Sequence, residues 1–183
     1  MSSPGKEFLQ TAIRRLKYYK DLGDKTFEQL NDWDFHYQPN EESNSIAIII
    51  QHLAGNMLSR WTNLLTEDGE KEWRQRDDEF EIHSYSKAQL IELWEKGWAC
   101  FFTAAGSLKK KDLKLTILIR KEPLTVIDAI NRQLAHYPYH VGQIVHIAKI
   151  IKGKNWNNLS IPKGQSQVYN NTEETKDPAK KSG

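Results

Sequence analysis

Three histidines carry the most specific chemistry in this 183-residue chain. His136 and His140 stand four residues apart. On an α-helix that separation is about 400° of rotation and roughly 6 Å of rise. Both imidazoles then leave one face, a turn apart, and such a pair can hold one divalent metal ion. Spacing alone is a weak signal, because a chain with 6 histidines reaches it readily by chance. The neighbourhood strengthens it. Ile130, Leu134, Val141, Ile144, Ile147 and Ala148 describe a largely buried helix, and a buried imidazole needs a partner for each ring nitrogen. His52 sits in the middle of another strongly apolar segment and offers a third ligand from a facing element. The other histidines do not join them. His146 follows His140 by six residues, about 240° round the helix. His36 and His83 fall in loops and read as solvent-facing or locally hydrogen-bonded.

Three further residues are candidates to serve the same site. Asn56 lies one turn beyond His52, and Ser59 and Arg60 lie two turns beyond, so a polar stripe runs beside the apolar one. Such a stripe is either a solvated face or the wall of an internal site, and the residues alone favour the solvated face. Arg60 can bind an anionic carboxylate of a substrate, with a surface salt bridge as the weightier alternative. Gln143 shares the face of His136 and His140. It either orients a ligand or bound water or packs between helices.

The elements that must position these residues are legible as four amphipathic helices. Phe8, Ala12, Leu16 and Tyr19 predict a first helix over 4–22, opened by Pro4 and stopped by Gly23. Phe27 and Leu30 allow a short helix over 24–32, before a polar loop over 33–44. Ser43, Asn44 or Ser45 caps a second long helix that runs to about Leu65. Residues 66–85 are rich in charge, with Trp73 and Phe80 as isolated apolar anchors. That stretch is a long loop pinned by two aromatics, either a lid or a solvated linker. Ser86-Lys-Ala-Gln89 is a capping box opening a third helix that Gly106 ends. Residues 113–126 carry β-branched residues and Pro123, which predicts a small hairpin. Thr125 then caps a fourth helix that reaches Gly153, with Pro138 as an expected kink between the two histidines. Residues 1–169 are expected to form one domain, the part from 154 on ordered but irregular, and 170–183 a disordered tail.

Composition excludes more than it specifies. The 26 basic and 24 acidic residues are mixed along the chain and leave a net charge of +2, which gives no electrostatic argument for nucleic acid. The single cysteine, Cys100, allows no internal disulfide and fits a reducing compartment. It reads as a packed structural residue rather than a nucleophile. The most apolar run, 46–58, is too short to span a bilayer. A cytoplasmic protein with no membrane partner is expected.

His52 on the second helix and His136-x-x-x-His140-Val-Gly-Gln143 on the fourth resemble the DinB/YfiT-like superfamily over residues 4 to 153. Ser59-Arg-Trp61, Asp68-Gly-Glu-Lys71, Ile130-Asn-Arg-Gln133 and Leu159-Ser-Ile-Pro-Lys-Gly-Gln-Ser166 resemble one uncharacterised subgroup of it. Pro138 and Tyr139 are not demanded by the general pattern, and they leave the histidine pair intact. The resemblance implies an all-α four-helix bundle with long crossovers, in up-down-down-up order. It implies a divalent metal, zinc or nickel, on His52, His136 and His140, and frequent homodimers, which exposed aromatics in 154–169 also favour. Some relatives transfer low-molecular-weight thiols of the bacillithiol type to electrophiles. A metal-dependent thiol transferase is therefore the leading expectation. A metal-dependent hydrolase and a non-catalytic, stress-related metal-binding bundle stand as alternatives, and packed polar histidines in an interaction protein as a third. No catalytic acid or base is identifiable beyond the metal.

Overall fold

The computed structural model describes residues 3–181. In chain order it forms α1 (Pro4–Phe27), α2 (Asp32–Phe35), α3 (Ile46–Trp61), α4 (Lys87–Ser107), β1 (Thr116–Ile119), β2 (Glu122–Thr125), α5 (Val126–Lys152) and α6 (Ser166–Asn170). Three of the four long helices begin at a hydroxyl cap. Ser45 accepts from the Ile48 amide at 3.2 Å, Thr125 from Asp128 at 3.3 Å, and Ser86 exchanges hydrogen bonds with Gln89 in a capping box. Each cap satisfies a backbone donor that the helix itself leaves unpaired. α5 is continuous through Pro138 and ends at Gly153, whose φ of 52° suits a residue without a side chain.

One boundary differs from expectation for a packing reason. α1 passes through Gly23 and ends at Phe27. A Cβ at Gly23 would lie 2.5 Å from Cζ2 of Trp94. The glycine is there to admit the indole, whose Nε1 donates to Asp24 at 2.8 Å. The second long helix likewise ends at Trp61, before Leu65.

The side-chain contacts set the order of the bundle. Gly97 of α4 meets Ala54 of α3, and Phe101 meets Trp61 with ring centroids 4.8 Å apart, so these two helices run parallel. His52 lies against His140 and Asn56 against Tyr137, so α3 and α5 are antiparallel. Gly5 lies beside Lys110, just past α4, while Lys20 reaches Glu95 near its start, so α1 and α4 are antiparallel. The result is an up-down-down-up bundle. Its core holds Trp94, Trp98, Phe101, Tyr137 and Leu16, all almost wholly buried. Each such side chain contributes about 1.5–3 kcal/mol by leaving water.

Parallel neighbours cannot be joined by a tight turn. The connection over 62–86 must return along the whole of α3, which at about 1.5 Å per residue is some 24 Å. That crossover is what passes the histidines. Near its start, Asp68 braces the β1–β2 hairpin. Arg120 and Lys121 form its two-residue turn with φ of 57° and 64°, a conformation costing about 1–2 kcal/mol for residues with a Cβ. The Asp68 carboxylate accepts both their amides, at 2.8 and 2.7 Å. The Gly69 amide donates to Leu118 at 2.8 Å.

Within residues 170–181, Asp177 pairs with Arg15 of α1 and Ala179 is buried. Residues 182 and 183 of the expected tail lie outside the described residues. Among the described residues no helix is long and apolar enough to cross a membrane.

Candidate metal centre

α3 and α5 face each other so that His52, His136 and His140 meet at one point. The Nε2 atom of His136 is 3.2 Å from that of His52 and 3.1 Å from that of His140. One ligand atom from each lies within 4.8 Å of the others. The Nδ1 side of every ring faces an acceptor. His52 donates to Glu79 Oε2 at 3.1 Å, His140 to Gln143 Oε1 at 2.7 Å, and His136 to Gln133 Oε1 at 3.4 Å. With the proton on Nδ1, each Nε2 presents a lone pair to the common point. Three inward lone pairs repel one another and want a cation between them. This donor set fits a divalent metal ion and leaves room for a further ligand, as in catalytic rather than closed structural sites.

Electrostatics agree with neutral rings at His136 and His140. Burial lowers the His136 pKa to about 3, with the His140 and His52 rings adding to the effect. Burial lowers His140 to about 4 against the opposing contact with Gln143. Burial would raise Glu79, but hydrogen bonds from Arg74 and His52 outweigh it and hold its carboxyl below the usual range.

Glu79 is the keystone of the outer layer. Arg74 grips it through Nε at 2.7 Å and Nη2 at 2.8 Å, a bidentate charge-assisted pair. The carboxylate approaches α3 at Gly55, where a Cβ would stand 2.1 Å from Oε1. Phe80 lies over His52 with centroids 4.9 Å apart. So the crossover is a wall of the site. Its pins are Arg74, Glu79 and Phe80, while Trp73, expected as an anchor, is 56% exposed.

A chamber of about 720 Å³ opens on the three rings. Asn56 and Arg60 line it, and Gln143 stands behind His140 instead. The polar stripe of α3 is therefore buried: His52, Asn56, Ser59 and Arg60 all face inward, and the solvated-face reading is corrected. Arg60 is no surface residue. It donates to the Gly69 carbonyl and, at 3.0 Å, to Glu70. Asn56 accepts from the Tyr137 hydroxyl at 3.2 Å, which in turn accepts from Trp61 Nε1 at 2.9 Å. That chain ties the chamber floor to the aromatic core.

Residues 3–165 match the family described as Protein of unknown function (DUF1572). The chain belongs to this family. No curated protein and no solved structure matches it. In this DUF1572 member the site residues that sequence reasoning missed are Gln133, Arg74, Glu79 and Gly55, while Phe80 was expected only as an anchor of the loop. Gln133 had a usable signal. It precedes His136 by three residues as Gln143 follows His140 by three, so one helix face repeats the same glutamine–histidine pairing. Glu79 and Arg74 sit in a loop without periodicity and gave none. Of the remaining histidines of the DUF1572 chain, His83 bonds the nearby Asp78 carbonyl at 3.1 Å, while His36 bonds the Tyr85 carbonyl at 2.8 Å across 49 residues of sequence and is not a local partner.

Proposed function

We propose that this DUF1572 protein is a DinB/YfiT-like divalent-metal protein that transfers a low-molecular-weight thiol to an electrophile, with zinc or nickel on His52, His136 and His140. The observation that carries the reading is the convergence of three Nε2 lone pairs at the floor of an open chamber. A bound divalent ion supplies Lewis acidity that lowers the pKa of a thiol or water brought to it. The chain does the rest by positioning. Gln133, Gln143 and Glu79 hold each imidazole in the Nδ1-protonated form and at a fixed angle. Phe80 covers one side of His52 and screens it from water. The buried Asn56 lines the chamber with the rings, its Oδ1 already engaged by Tyr137.

Metal analysis of untagged protein tests the first half of this reading. Stoichiometric zinc or nickel is expected, and a chain that takes up neither metal on titration sinks it. Loaded protein is then assayed for thiol consumption with a model electrophile. Ester hydrolysis without thiol consumption transfers the reading to a hydrolase, and full metal with neither activity leaves a non-catalytic bundle.

We also propose a homodimer. Its support is apolar exposure in the segment after α5, where Ile161 and Val168 are 43% and 63% exposed. Light scattering is expected to give twice the chain mass. A monomer at high concentration counts against the dimer and leaves the metal centre untouched.

A further inference from the structure

Five arginines line the chamber beside the three histidines: Arg60, Arg74, Arg76, Arg120 and Arg132. No acidic residue lines it with them. The carboxylates behind the wall are too few to balance it. Glu79 takes Arg74. Glu70 is shared by Arg60 at 3.0 Å and Arg120 at 2.9 Å. Asp68 accepts the amides of Glu70, Arg120 and Lys121 and also faces Arg60, so three carboxylates stand against five guanidiniums. Arg76 and Arg132 have no ion pair among the described residues, and the Arg76 guanidinium lies 5.5 Å from the Phe80 ring centre. The wall is also incomplete as a hydrogen-bonding surface. Arg74 Nη1 is buried without a hydrogen-bond partner, and the nearest carboxylate oxygen, on Glu70, is 4.0 Å away. A buried donor without an acceptor is costly. The chain's net charge of +2 conceals this local excess of positive charge.

We propose that the chamber takes a small organic oxyanion, carboxylate or phosphoryl, whose charged end lies on the arginine wall and whose reactive end lies at the three histidines. The inference deepens the reading of the chamber as a substrate site and rests on that reading, though not on which metal or reaction it serves. The volume of about 720 Å³ suits a small molecule. The planar guanidinium fork matches carboxylate and phosphoryl oxygens alike. A neutral analogue would leave the excess charge unanswered, so the wall also selects against neutral substrates.

Titration calorimetry at fixed ionic strength tests this on the full chain, metal-loaded and metal-free. The probes are succinate, inorganic phosphate and, as the neutral counterpart, succinamide. Succinate or phosphate is expected to bind and succinamide not, and the stronger of the two anions names the chemistry. The double variant Arg76→Gln/Arg132→Gln, altered at two exposed side chains, is expected to weaken that binding about tenfold or more. Its helical content and metal stoichiometry should not change. Anions that bind no better than succinamide, or equally well to the double variant, overturn the proposal even if the protein is fully metal-loaded. Anion binding by a chain that takes no metal supports the proposal while removing the metal from the reading of the site.

Discussion

Replacing His136 by alanine is expected to abolish tight metal binding and leave a folded helical protein. His136 is the middle member of the three, within 3.2 Å of both other Nε2 atoms. Without it two nitrogens remain, and they belong to different helices. The fold does not depend on the centre. A domain of this size buries roughly 70% of the surface its unfolded chain exposes, and none of Trp94, Trp98 and Phe101 in its core lines the chamber. The substitution strands no buried charge, because the ring it removes is neutral and its partner is the amide of Gln133. The melting temperature should fall moderately, chiefly by losing the stabilisation that a bound ion gives by mass action. Circular dichroism and metal analysis on one sample decide the matter. An unfolded variant would make the ion structural. A variant that still holds stoichiometric metal would remove His136 from the ligand set.

Gly55→Ala is expected to destabilise the protein and to loosen the metal centre together. The new Cβ would stand 2.1 Å from Oε1 and 2.7 Å from Cδ of Glu79. The far end of a glutamate usually moves aside at little cost. This one is gripped by the Arg74 fork and by His52, and the Arg74 side chain is only 2% exposed. Displacing it breaks a buried ion pair, a change worth about 3–5 kcal/mol. In a chain of this length that corresponds to a fall of about 6–20 °C in melting temperature. Metal affinity should drop about 10–100-fold, because His52 loses the carboxylate that orients it. Gly142→Ala is the control. It is a mid-helix glycine in α5 with open space where a Cβ would go, so it should be neutral or stabilise by about 0.5–1 kcal/mol. Thermal melts with and without metal compare the two. If Gly55→Ala behaves like Gly142→Ala, Glu79 is not held as described.

The sequence by itself determined whatever is encoded within a turn or two of helix. Ser86 and Thr125 mark helix starts because a cap bonds the amide three residues on, and for the second long helix the choice among Ser43, Asn44 and Ser45 was left to the structure, which uses Ser45. His136 and His140 share a face because of helical pitch alone. The β-branched run before Thr125 marked the hairpin. Tertiary structure decided everything that depends on chain return. Gly23 looked like a helix stop, and only the approach of Trp94 from α4 shows why it lies inside α1. The α3 stripe looked solvated, because polar residues on a helix are ordinarily exposed. It is buried because the crossover folds back over it, bringing Glu79 to His52 across 27 residues of sequence. The arginine wall was invisible for the same reason. Its five members come from α3, the crossover, the hairpin turn and α5, four segments with no common periodicity. Spacing along a chain records contacts only where the backbone geometry between two residues is regular. Where the chain must cross the bundle to join two parallel helices, contact is set by packing.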